Sequence, residues 1–174
     1  MSVSDCEGHL RGHSDAVFTD VPFIDEDVLT EFKTVNEKSW KKFNLNGVYM
    51  SNKQYFAQVQ LYMHYNGLRK TLFIAVNKNT EELYIEIIDI DSKVVEKLQM
   101  RAMDIINSDI PPQRAFDSPT YYECNWCDYK EICWEDVNYA RNCRTCKYST
   151  PVEDGLWICE LQQITLNIEE QRNG

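Results

Sequence analysis

No stretch of the chain stays apolar for the roughly 18 residues that a membrane-spanning helix needs, which excludes such a helix. The first residues, MSVSDCEGH, have neither the charged nor the apolar region of a secretory leader. Positive charge is in deficit: 18 Lys and Arg stand against 28 Asp and Glu, a net charge of −10. That argues against non-specific phosphate binding over the whole surface, although a groove with its own local field stays open to nucleic acid. Internal repeats and low-complexity tracts are absent too. What is present is an ordinary globular composition, 43% apolar and 26% charged. At 174 residues the chain has room for one domain with a real core and a small appendage. The seven cysteines are odd in number and four of them form C-x-x-C pairs. Such a set suits metal ligands in a reducing compartment better than disulfides, so a cytosolic protein is expected.

Periodicity divides the first half clearly. HSDAVF (13–18) alternates as a strand, DVPFIDED turns, and VLTEFKT (28–34) is a second strand, together a hairpin. Residues 52–68 have the helical period, with Phe56, Val59 and Met63 on one stripe and Asn66-Gly67 as the stop. KTLFIAVNK (70–78) is apolar enough for the centre of a sheet, EELYIEIIDID follows as another strand, and 92–108 is again helical. A Pro-rich stretch, SDIPPQRAFDSPT, then separates a Cys-rich tail. The predicted order is strand, strand, helix, strand, strand, helix, tail: an α/β or α+β protein with a mixed central sheet flanked by helices. The expected domains are a core over 1–110 and a boundary with a metal-binding tail over 111–174.

The chemistry concentrates at VLTEFKT. Glu31 and Lys33 are two apart on a strand and so share a face, with Leu29 beneath them. If the hairpin forms, Asp15 can face Glu31. Two carboxylates held together repel and raise one pKa unless a cation lies between them. Mg²⁺ suits such a pair, since it binds one or two carboxylates plus waters and phosphate oxygens. Lys33 beside the pair can position an attacking water or offset developing charge. An acid-x-Lys tripeptide alone is weak, since it recurs at 91–93 and 128–130, and an exposed ion pair is the plainer account of any single match. Gln58 and Tyr62 fall one turn apart on the next helix. Lys33, Lys38, Lys41 and Lys42 make a local basic lip that could meet substrate, or a solvated surface stretch.

In order, GHSDAV, LTEFKT and QVQLY resemble the D…(D/E)-x-K…Q-x-x-x-Y pattern of the PD-(D/E)XK nucleases, closest to their RecB-like exonuclease branch. The tail segment YYECNWCDYKEIC resembles the C-x-x-C-x5-C of the same branch, so the likeness covers roughly 9–135. The resemblance implies a restriction-endonuclease-like core and Mg²⁺- or Mn²⁺-dependent hydrolysis of DNA phosphodiesters by an exonuclease of phage or mobile-element type. It would serve DNA recombination or processing, with DNA and a recombination or replication protein as partners, in bacterial or infected-host cytosol. Asp15, Glu31 and the Phe32 carbonyl would hold the metal. Lys33 would serve the water, and Gln58 and Tyr62 would orient the site. Only fourteen residues precede Asp15, where the family usually has an N-terminal helical region with a further site residue, often His; His9 or His13 would substitute. A catalytically idle binding module with a metal tail is the alternative function.

Cys124, Cys127, Cys133, Cys143, Cys146 and Cys159 crowd the tail. C-x2-C-x15-C-x2-C has the spacing of a Cys₄ zinc site. The resemblance instead groups Cys124, Cys127 and Cys133 for a [4Fe–4S] cluster, with Cys6 as the one candidate for a fourth ligand. Cys143, Cys146 and Cys159 would then form a second ribbon, similar to the C-terminal zinc ribbon of some phage nucleases. Zinc is expected, with the cluster as the alternative.

Overall fold

The computed structural model describes residues 1–108, 110–135 and 142–173; Asp109 of the Pro-rich stretch, and 136–141 and Gly174 of the tail, lie outside them. The protein is mixed α/β, and it divides into two units: Met1–Cys6 with Leu10–Ala102, and Glu7–His9 with Met103–Gly174. Among the described residues no helix is long and apolar enough to cross a membrane.

The first unit opens on a hairpin that the sequence pattern did not predict, β1 (Ser2–Asp5) with β2 (Leu10–His13). The expected strand 13–18 is therefore broken: β2 ends at His13, and β3 (Ala16–Phe18) begins only after Ser14 and Asp15. The hairpin is tied to the helices by Asp5, whose Oδ2 accepts the Tyr65 hydroxyl at 2.5 Å and the Gln99 amide at 3.2 Å. Burial and the Asp5 carboxylate push the Tyr65 phenol up, so this hydroxyl keeps its proton and donates.

A four-stranded sheet follows in the order β3, β4 (Val28–Val35), β5 (Lys70–Asn77), β6 (Leu83–Asp89). β4 runs parallel to β5, and the other pairs are antiparallel. β5 is interior, as its apolar run requires. Register sorts the residues onto two faces. Thr30, Leu72 and Ile87 lie side by side, as do Phe32, Ile74 and Ile85. That face leaves Phe18, Phe32, Leu83, Ile85 and Ile87 exposed. The opposite face carries the rows Glu31, Phe73, Glu86 and Lys33, Ala75, Tyr84.

Two helices cover this second face. α1 (Glu37–Ser51) occupies the segment read only as a Lys-rich lip, and it is capped by the Asn36 side chain on the Ser39 N–H at 2.9 Å. It kinks at Gly47, where φ is +72° and ψ 172°, a conformation favourable only to glycine. Beyond the kink the Val48 N–H donates to Glu86 Oε2 at 2.8 Å, so a sheet carboxylate receives the restarted turn. α2 (Lys53–Asn66) matches its predicted span and ends on Gly67 in the left-handed conformation. Phe43, Val48, Val59, Met63, Leu29 and Phe73 form the core between helices and sheet. Burying each such side chain contributes about 1.5–3 kcal/mol. Buried Gln60 ties α2 to the chain after β6, donating to the Asp89 carbonyl and accepting the Asp91 N–H at 2.7 Å. α3 (Ser92–Asn107) completes the predicted order.

In the second unit, α4 (Lys130–Trp134) precedes a three-stranded antiparallel meander, β7 (Ser149–Val152), β8 (Leu156–Cys159) and β9 (Ile164–Leu166), closed by α5 (Ile168–Asn173).

Candidate active site

β4 delivers the two residues that the sequence singles out. Leu29, Glu31 and Lys33 point to the helix-covered face, and the Glu31 side chain is only 1% exposed. Its Oε1 pairs with the Lys33 ammonium. Its Oε2 is buried and has no hydrogen-bond partner among the described residues. A buried carboxylate oxygen with nothing to receive carries a desolvation cost that a bound cation would offset.

Asp15 immediately precedes β3, the strand that pairs antiparallel with β4. Ala16 pairs with Thr30, so the preceding residue falls opposite Glu31. Asp15 Oδ2 accepts the Phe32 N–H at 2.8 Å, which docks the connection onto β4 beside Glu31. Burial pushes the Glu31 carboxyl up, Lys33 pulls it back in part, and the Asp15 charge raises it further. A buried carboxylate with an orphaned oxygen and a second carboxylate docked on the same strand meet the modest demand of Mg²⁺ or Mn²⁺ for protein ligands, so these residues fit such an ion.

Lys33 is held by its second neighbour, Tyr55, whose ring centroid lies 4.9 Å from Nζ. Cation–π contact steers the ammonium without removing its charge. The Tyr55 ring is in turn packed against Phe43 and Phe73. Tyr55 is absent from the sequence-based set; its place one turn before Gln58 on α2 was the available signal.

Gln58 and Tyr62 do share one face of α2, but they serve each other. Gln58 Nε2 donates to the Tyr62 hydroxyl oxygen at 3.2 Å, and the His13 N–H donates to the same oxygen at 3.2 Å. The contacts of Lys33 among the described residues are Glu31 and Tyr55, while Gln58 bonds Tyr62. Lys38, Lys41 and Lys42 are exposed on α1, and Lys41 pairs with Glu37. His13 offers its backbone to Tyr62 while its side chain is exposed; His9 belongs to the second unit, with Nε2 3.0 Å from the Val152 carbonyl and its ring edge-on to Trp157.

The tail cysteines are placed by two copies of one turn. The Cys127 N–H reaches the Cys124 carbonyl at 3.4 Å, and Lys130 N–H reaches that of Cys127 at 3.1 Å. In the second copy Cys146 N–H donates to Cys143 at 3.2 Å, and Ser149 N–H to Cys146 at 3.0 Å. Cys143 and Cys159 line one cavity of about 460 Å³ with Gln162, Glu169 and Glu170. Cys133 lies on α4, where its carbonyl accepts the Arg114 Nε–H at 2.7 Å. Among the described residues no group of three or more His, Cys, Asp or Glu stands as a metal site.

No family model matches the chain, and no curated protein matches it. A solved chain described as the crystal structure of SSO0001 is similar in part, with a TM-score of 0.47 and 16% identity over 74% of this chain and 52% of that one. The chain thus spans about half the length of that protein.

Proposed function

We propose that the protein is a Mg²⁺- or Mn²⁺-dependent DNA nuclease built on a PD-(D/E)XK core, with exonucleolytic processing of phage or mobile-element DNA as its role. The observation that carries this reading is the orphaned Glu31 Oε2 opposite Asp15, with the Lys33 ammonium on the same strand face. A divalent ion bound there supplies Lewis-acid polarisation of a phosphoryl oxygen.

The chain's own residues would do the rest. Asp15 and Glu31 would hold the ion on β4, and since burial raises the Glu31 carboxyl, a cation there would favour its charged form. Lys33, on the same strand face, would place its ammonium near the water that attacks phosphorus or near the phosphate charge that builds up. Tyr55 limits how far it can swing. In hydrolysis the water oxygen bonds to phosphorus, the bond to one sugar oxygen breaks, and a proton ends on that oxygen. Lys38 and Lys42, exposed on α1, are available to the DNA backbone despite the acidic whole.

The tail, in this reading, is a thiolate metal element with zinc at its C-x-x-C turns, and no chemical step passes through it. The reading is tested by incubating the protein with single- and double-stranded DNA and Mg²⁺ or Mn²⁺. Metal-dependent cleavage is expected, and its absence with both ions and both substrates would remove the assignment.

A further inference from the structure

Gly12 lies on β2 with a backbone that any residue can adopt, so turn geometry does not explain it. Its surroundings do. A Cβ at position 12 would lie 2.6 Å from Tyr62 Cε1 and 2.8 Å from the Tyr62 hydroxyl oxygen, far inside the ~3.5–4 Å at which carbon atoms attract. The ring cannot move off without loss. Its hydroxyl oxygen receives the His13 N–H and the Gln58 amide, and the neighbouring Val59 and Met63 are fully buried. The chain then runs through buried Ser14 to Asp15, whose carboxylate is fixed on the Phe32 N–H.

We propose that Gly12 is a positioning residue of the cation site. The missing side chain lets Tyr62 press against the β2 backbone, take the His13 N–H, and so fix the entry of the chain into Asp15 opposite Glu31. This rests on the reading of Asp15 and Glu31 as the cation-binding pair. Alanine at position 12 would force either the ring or the strand to shift. A displacement near 1 Å at a group that must meet a metal is enough to lose about tenfold to a hundredfold in function.

The test is a double-mutant cycle of Gly12→Ala and Tyr62→Ala in the full chain. Three quantities are followed: Mn²⁺ affinity without DNA, single-turnover DNA cleavage in Mn²⁺, and hydrogen exchange of the Phe32 amide that Asp15 receives. Gly12→Ala alone should weaken Mn²⁺ binding about tenfold or more and speed exchange at Phe32. In the Tyr62→Ala background, where the clashing ring is gone, the same substitution should change affinity by less than about twofold. A glycine needed only for folding would lower the melting temperature in both backgrounds alike. The proposal is overturned if Gly12→Ala behaves as wild type, or if its penalty is undiminished beside Tyr62→Ala. Unfolding of Gly12→Ala that the second substitution fails to cure has the same consequence. If the wild-type protein cleaves no DNA, the nuclease reading fails while the Mn²⁺ and Phe32 measurements still decide the role of Gly12.

Discussion

Asp15 accepts the Phe32 N–H at 2.8 Å, so the carboxylate that follows the first hairpin is fastened to the strand that carries Glu31. The cost of that neighbouring charge falls on Glu31, the buried one of the two acids, whose carboxyl it helps to raise.

That cost is visible as a pH dependence. Burial, and then Asp15, raise the Glu31 carboxyl above its ordinary 4.5, despite Lys33. Between the unfolded and folded values, the folded metal-free protein therefore binds more proton at this group than the unfolded chain does. The stability this gives is complete below about 4.5 and disappears as pH rises through the folded value. Denaturant titrations across that range should show metal-free wild type weakening as pH climbs, and Glu31→Gln lacking that decline. Saturating Mn²⁺ should reverse the trend, since the ion binds the deprotonated pair. Identical pH profiles for wild type and Glu31→Gln would mean that Glu31 is not held protonated.

Lys33 should prove a transition-state group. Lys33→Ala is expected to lower single-turnover cleavage by roughly a hundredfold or more while DNA affinity, measured in Ca²⁺, stays within about threefold. Lys33→Arg should not restore it, because a planar guanidinium does not replace a compact ammonium. Tyr55→Leu, which removes the ring over Nζ, should cost less than Lys33→Ala. A Lys33→Ala protein that cleaves bound DNA at the normal rate but binds it poorly would make Lys33 a phosphate anchor.

Much of this site was legible in the sequence, because a strand is the easiest element to read by alternation. Leu29, Glu31 and Lys33 fall on one face by parity alone, and β5, α2 and α3 follow from their apolar periods. α1 escaped because Asn44, Asn46 and Gly47 interrupt its pattern and leave only Phe43 and Val48 buried; the Asn36 cap was the overlooked signal. The break at Ser14 and Asp15 was hidden by alternation that continues across two strands of different sheets. Tyr55 and Gly12 have roles that only tertiary packing creates, a ring over an ammonium and a backbone under a ring. The partition of the tail cysteines is a matter of three-dimensional distance that spacing does not determine.

The kink in α1 gives a stability prediction independent of function. Gly47 has φ +72° and a Cβ there would meet Glu86 Oε1 at 3.3 Å. Gly47→Ala should destabilise the fold by about 1–3 kcal/mol in urea titration, from backbone strain together with crowding of the carboxylate that receives Val48. A change below about 0.5 kcal/mol would show that the helix re-forms without its break.

For the tail, an elemental scan of protein purified under reducing conditions should find zinc, and its removal by a chelator should open residues 120–174 to proteolysis while the sheet of the first unit stays protected. A brown protein absorbing near ~400 nm would assign an iron–sulfur cluster instead. A metal-free protein whose tail resists protease would leave the cysteines without a structural ion.

The most direct measurement is single-turnover cleavage of DNA in Mn²⁺ by wild type, Asp15→Ala and Glu31→Ala, each shown by circular dichroism to be folded. Wild type should cleave, and each variant should be slower by roughly a thousandfold, the equivalent of about 4 kcal/mol of lost transition-state stabilisation. Near-normal turnover in either variant, or a wild-type protein inert with both Mg²⁺ and Mn²⁺, would contradict the assignment of these two carboxylates to a nuclease metal site.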